Sequence, residues 1–161
     1  MGKLASLGVD AVVNCCHGGP GENGTLPAAL SVASIPCTGP QQAAAVLAMD
    51  KHATNRMAVG LGVPVADHAL LAPGLVELPF AGPYIVKPRF GGSSIGIETV
   101  ADAATAVDLL ATSPHLKDGA VVEPLLEGWV DVNVAVRSAP ELQLSEIERP
   151  LRGEGAVYGY E

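Results

Sequence analysis

The chain has 161 residues, 48% of them apolar, enough for one domain or two small ones and without a disordered signature. Its net charge of −8, with no Lys/Arg cluster, excludes a nucleic-acid footprint. No apolar run reaches the roughly 18 residues of a membrane-spanning helix, and Met1-Gly2-Lys3-Leu4 opens no signal peptide, so neither nucleic acid nor membrane is an expected partner. Gly2 and Ser6 fit a myristoylation pattern too short to stand alone.

Val9 to Cys16 reads as a buried strand, which points Cys15 and Cys16 to opposite faces. With Cys37 they make three cysteines and no CxxC spacing, so they read as small buried hydrophobes in a reducing compartment rather than zinc ligands. His17 to Gly24 follows, with four glycines in eight residues, a loop that lets backbone approach a ligand closely. Thr25 is placed to cap a helix over about 26–34, with Leu26, Ala29, Leu30 and Ala33 at helical spacing. A second short helix runs from Gln41 to Ala48. Asp50 caps a third, which Gly60, Gly62 and Pro64 end. Val63 to Leu71 reads as extended, and the Pro- and Gly-rich residues 72–82 as a linker into a second lobe.

That lobe opens with strand Tyr84-Ile85-Val86-Lys87, then the glycine loop Gly91-Gly92-Ser93-Ser94-Ile95-Gly96. Thr99 and Asp102 resemble a capping box for a helix over about 101–112 with Ala103, Val107 and Leu110 on one face. Ala120 to Glu123 is a strand. Val130 to Val136 alternates strictly and reads as half-buried, with Leu142 to Ile147 antiparallel to it. No internal repeat is visible.

Lys87 shares a strand face with Ile85, where a lysine is costly unless it meets an anion or snorkels to solvent. The loop after it changes the balance: consecutive N–H groups and two hydroxyls make a phosphate-binding nest. It is not a Walker A loop and does not lead directly into a helix, so a hairpin covering a triphosphate fits better. Glu123 at a strand end can meet a ribose; Glu127 reads as a solvated loop carboxylate, and Asp131 lies opposite the valines, toward solvent or a cleft. His17 follows a strand end, where α/β sheets bind ligands, so it is either substrate-facing or structural in a tight turn. Lys51 opposes the macrodipole of the helix it starts, which argues for a role other than helix stability, or simple exposure.

Five segments in order resemble the D-alanine–D-alanine ligase family of the ATP-grasp superfamily. His17-Gly18-Gly19-Pro20-Gly21-Glu22-Asn23-Gly24-Thr25 resembles HGxxGEDGT, with Asn23 for Asp; Ile35-Pro36-Cys37-Thr38-Gly39 resembles IPYTG; Ala48-Met49-Asp50-Lys51 matches AMDK; and Val86-Lys87-Pro88 with Gly92-Ser93-Ser94-Ile95-Gly96 matches VKP and GSSxG. The resemblance implies a cytoplasmic enzyme of peptidoglycan precursor synthesis that joins D-alanine to D-alanine with ATP and Mg2+. It implies Lys51 and Lys87 on phosphate, Gly92, Ser93 and Ser94 in a phosphate-covering flap, and Ser93 and His17 near the first D-alanine. Glu123 falls at the adenine hinge and Asp131 near the ribose, with one extra residue before it and one methylene less than the family's Glu.

The expected fold is α/β: residues 1–71 as the remnant of an N-terminal doubly wound substrate lobe, and 72–161 as the ATP-grasp α+β lobe with the start of a third. Full family members are about twice this length, so the chain reads as incomplete. It ends at Tyr158-Gly159-Tyr160-Glu161, just before the family's arginine and metal ligands, and no metal ligand is expected in it. Efficient ligation by the chain alone is therefore not expected, and exposed sheet edges favour a homodimer or a complementing C-terminal chain. The alternatives are a non-catalytic nucleotide-binding module or an ATP-grasp ligase for other amino acids.

Overall fold

The computed structural model describes residue 6 and residues 8–74, 77–138 and 140–151. These fall into two compact units, one ending at Leu125 and the other beginning at Leu126. The Tyr158–Glu161 segment lies outside the described residues.

The first unit starts with a run that the alternation reads as a strand but that makes a single parallel bridge, Val12 to Cys37. Its two bonds run from Val12 N–H to the Pro36 carbonyl (2.8 Å) and from Thr38 N–H to the Val12 carbonyl (3.0 Å). A ladder needs a partner along its length, and none of the described residues extends this one; Val13 is 74% exposed. Cys15 and Cys16 are accordingly exposed, not buried as expected, and Cys37 is half-buried.

Four helices follow: α1 (Gly19–Glu22), α2 (Thr25–Val32), α3 (Gln42–Met49) and α4 (Lys51–Gly60). The cap of α2 is Gly24, not Thr25. Gly24 has φ +87°, and a Cβ there would stand 2.9 Å from the Gln42 carbonyl, so this position needs glycine for both its backbone and the close approach of α3. Asp50 does cap α4, its Oδ1 accepting the Ala53 N–H at 3.1 Å.

Beyond α4 lies a four-stranded antiparallel sheet in the order β1 (Ala69–Leu71), β4 (Ala120–Pro124), β2 (Tyr84–Pro88), β3 (Glu98–Val100). Only Ala69–Leu71 of the expected extended run forms a strand. Helix α5 (Ala103–Thr112) is capped by Asp102 itself, which accepts the Thr105 N–H at 2.8 Å; Thr99 sits in β3 instead of a capping box. The core gathers Leu71, Tyr84, Val86, Ala120 and Val122 from one sheet face with Ala106 of α5, Leu116 and Leu78. Leu78, within the expected linker, is only 6% exposed, and β1 pairs with β4. The chain on either side of residues 72–82 thus shares one sheet.

In the second unit, β5 (Val136–Arg137) pairs antiparallel with β6 (Gln143–Leu144), continued by an isolated bridge from Asn133 to Glu148. The antiparallel partnership was expected; half-burial was not found. Val132, Val134 and Val136 are 58%, 45% and 64% exposed and Leu144 67%, because no further described element of this unit packs on the hairpin.

Leu116, 1% exposed, is a direct probe of the first unit's core. Leu116→Ala is expected to lower the unfolding free energy by about 2–5 kcal/mol, and Val32→Ala, at a 90% exposed position, to change it by less than about 0.5 kcal/mol. Urea unfolding of both variants checks this.

Candidate functional site

Strand alternation divides the residues of β2. Tyr84, Val86 and Pro88 are buried, while Ile85 and Lys87 are half-buried on the other face. In the antiparallel register Ile85 lies opposite Glu123 and Lys87 opposite Val121. Directly opposed residues share a face, so Lys87 and Glu123 are diagonal neighbours there. Their side chains meet at 2.5 Å, Lys87 Nζ to Glu123 Oε2, with 25% and 15% of each side chain exposed. Glu123 Oε1 accepts from Asn55 Nδ2 at 3.4 Å, so helix α4 reaches the same sheet face.

Lys51 and Asn55 stand four apart on α4, one above the other. The Lys51 ammonium donates to the Gly91 carbonyl at 2.8 Å, a neutral partner rather than a carboxylate. Burial, and then the neighbouring Lys87 charge, hold its pKa below the usual lysine range, partly offset by Glu123 and Asp50. The two expected phosphate lysines therefore feel one another in one place. Two like charges that disfavour each other would both gain from an anion placed between them.

The loop between β2 and β3 is tightly turned. Ser93 and Ser94 both adopt left-handed backbone, φ 54° and 55°, a conformation that costs a non-glycine residue roughly 1–3 kcal/mol. Ile95 N–H donates to the Gly92 carbonyl at 3.2 Å. The loop's far end is fixed: Gly96 has φ +74°, and a Cβ on it would come 2.4 Å from the Cβ of His115. A Cβ on Gly92 would lie 3.8 Å from Glu22 Oε2, which brings the flap up to the segment that starts at His17. His17 is exposed, its Nδ1 3.7 Å from Glu22 Oε1.

Of the expected site residues, the first unit thus brings together Lys51, Lys87 and Glu123, next to Gly92, Ser93 and Ser94, with His17 reaching the flap through Glu22. Asp131 belongs to the second unit, where it is exposed. Three further side chains contribute that belong to none of the expected site residues. Asn55 gives no signal except its place one helical turn after Lys51. Met49 accepts the Gly91 N–H on sulfur at 3.2 Å. Arg89 forks onto Asp50, Nε 3.0 Å from both carboxylate oxygens and Nη2 2.6 Å from Oδ2. No signal in the sequence marks this pair: Asp50 reads as a helix cap, and its burial shows only in the structure.

Among the described residues no group of three or more His, Cys, Asp or Glu side chains could hold a metal ion, and no helix is long and apolar enough to cross a membrane. A separate groove of about 640 Å³ lies between α2 and the start of α3, and none of the expected site residues lines it.

Arg89 holds the Asp50 carboxyl below its ordinary value of 3.8, more strongly than burial raises it. The unfolded chain thus binds this proton more readily, so the carboxylate's contribution to stability is present well above pH 3.8 and disappears as the pH falls through the lower folded value. Asp50→Asn is expected to melt below the parent near neutral pH and to converge with it in acid; a gap independent of pH would contradict this assignment.

No protein-family model matches the chain. It is 34% identical over 151 residues to the D-alanine–D-alanine ligase of Anaeromyxobacter sp. (strain Fw109-5), covering 90% of this chain and 49% of that one. It is 37% identical over 145 residues to the D-alanine–D-alanine ligase of Sulfurimonas denitrificans, covering 89% and 42%. The crystal structure of the Helicobacter pylori D-alanine–D-alanine ligase superposes with a TM-score of 0.76 at 31% identity, over 91% of this chain and 49% of that one. The chain spans about half the length of the relatives it matches.

Proposed function

Because the chain is homologous to the D-alanine–D-alanine ligases over about 90% of its length, we propose that it holds the polyphosphate of ATP between Lys51 and Lys87, beneath the Gly91–Gly96 loop, for ligation of D-alanine to D-alanine. One observation supports this reading: the Glu123 carboxylate pairs with Lys87 and accepts from Asn55, one helical turn after Lys51 on α4, so the helix that carries one lysine is held against the strand that carries the other. In this reading residues up to 71 belong to a substrate lobe, whose last strand, β1, joins the sheet of the ATP-grasp lobe that runs from 72 on.

The γ-phosphoryl group passes from ATP to a carboxylate oxygen of the first D-alanine; the bond to the β-phosphate oxygen breaks and ADP leaves. The amine of the second D-alanine attacks the resulting acyl carbon, loses a proton and releases inorganic phosphate as the peptide bond forms. Lys51 and Lys87 offset charge on the transferring group. Gly92, Ser93 and Ser94 close over the phosphates, and Ser93 and His17 help place the first D-alanine. Glu123, which pairs with Lys87 and accepts from Asn55, is the acid at the adenine hinge. Mg2+ would supply further neutralisation of the phosphate charge; among the described residues no group of three or more His, Cys, Asp or Glu side chains could hold it. The setting is cytoplasmic peptidoglycan precursor synthesis, with a homodimer or a complementing C-terminal chain as partner.

Calorimetric ATP binding tests the site. Lys51→Met and Lys87→Met are each expected to weaken binding about tenfold to a hundredfold, the size of one lost hydrogen bond to a charged group at roughly 1.5–3 kcal/mol. ATP bound equally by both folded variants would sink the reading. ADP release with D-alanine and magnesium, with and without the remaining half of a ligase added, separates a ligase from a nucleotide-binding module. The same assay with other amino acids separates it from a ligase of different substrate.

A further inference from the structure

Four contacts sew residues 49–51 to residues 89–91. Gly91 N–H donates to the Met49 sulfur, Lys51 N–H to the Arg89 carbonyl at 3.0 Å, and the Lys51 ammonium to the Gly91 carbonyl. All three use the backbone of residues 89 and 91 and would survive any side chain at position 89. The fourth, the Arg89 fork on Asp50, requires a guanidinium, because only a planar fork meets both carboxylate oxygens at once.

The fork sits at a junction. Asp50, 9% exposed, also caps α4, one residue before Lys51. The Arg89 N–H donates to the Gly119 carbonyl at 2.9 Å, just ahead of β4, so the root of the arginine is tied to the sheet. Its guanidinium carbon lies 5.1 Å from the Phe90 ring centroid. Lys51 needs such a restraint. It starts a helix, where the macrodipole disfavours a cation; it is repelled by Lys87; and its flexible stem could swing it to water. The Arg89 charge is spent on Asp50 and acts only through what that pair holds.

We propose that Arg89 is a positioning residue: its fork on Asp50 fastens the stem of the Gly91–Gly96 loop to the first turn of α4 and so fixes the Lys51 ammonium where a polyphosphate binds. This rests on the reading of the two lysines as the ATP site.

The experiment pairs hydrogen exchange of the nucleotide-free full chain with ATP binding. In Arg89→Gln the amides of Lys51 and Gly91 are expected to exchange about tenfold faster while those of Val86 and Val122 stay unchanged. ATP affinity is expected to fall about fivefold, to be partly restored in Arg89→Lys, and to fall no further when Arg89→Gln is added to Lys51→Met. Unchanged exchange, or an equal loss of affinity with and without Lys51, overturns the proposal while leaving the ATP site standing. A parent chain that binds no ATP removes the ATP reading and the positioning role together.

Discussion

The register of β2 against β4 is the constraint on which the first unit depends. It sends Tyr84, Val86, Ala120 and Val122 into the core with Ala106 of α5, and in the same stroke it leaves Lys87 and Glu123 as diagonal neighbours on the opposite face. A slip of one residue would exchange the two sets, burying a lysine among aliphatic side chains and exposing the valines. Burial of the valines and formation of the ion pair thus select one register, and packing energy holds the charged groups in place. The ion pair itself is weak support for stability, since desolvation of both groups offsets most of their attraction.

The second requirement is a carboxylate with two duties. Asp50 satisfies the open N–H groups at the start of α4 and receives the guanidinium of Arg89. A chain with a net charge of −8 has few cations to place, and three of them, Lys51, Lys87 and Arg89, meet around this helix start and the sheet face beside it. Two have carboxylate partners, while Lys51 rests on a carbonyl. The excess of positive charge is therefore local, within a molecule that as a whole repels anions.

Local signals in the sequence were reliable where the structure is local. The helices α2, α3, α4 and α5, the cap at Asp50, the strand at Tyr84 and its alternation, and the shared face of Ile85 and Lys87 all rest on neighbours within a few residues. Two local expectations missed, since Gly24 and not Thr25 caps α2 and Thr99 lies in β3; the larger misses rest on partners. Val9–Cys16 has the composition of a strand, yet a strand forms only against another along its length, and here one bridge is found. Val130–Val136 alternates as a half-buried strand should, but the face it offers stays open within its unit. Residues 72–82 look like a linker by their prolines and glycines, and no local signal tells that Leu78 dives into the core. The site shows the same division: motif residues were legible one by one, while the fork between Asp50 and Arg89 spans 39 positions and has no local trace.

That span bears on how the molecule comes into being. Contacts 39, 40 and 42 positions apart close a large loop of chain, and its entropy must be lost before they return anything. The lysine cluster therefore exists only where α4 and the loop after β2 have come together. It follows that an anion seated there favours the whole assembled unit over the disordered chain by mass action, raising its melting temperature with concentration rather than merely quieting one loop.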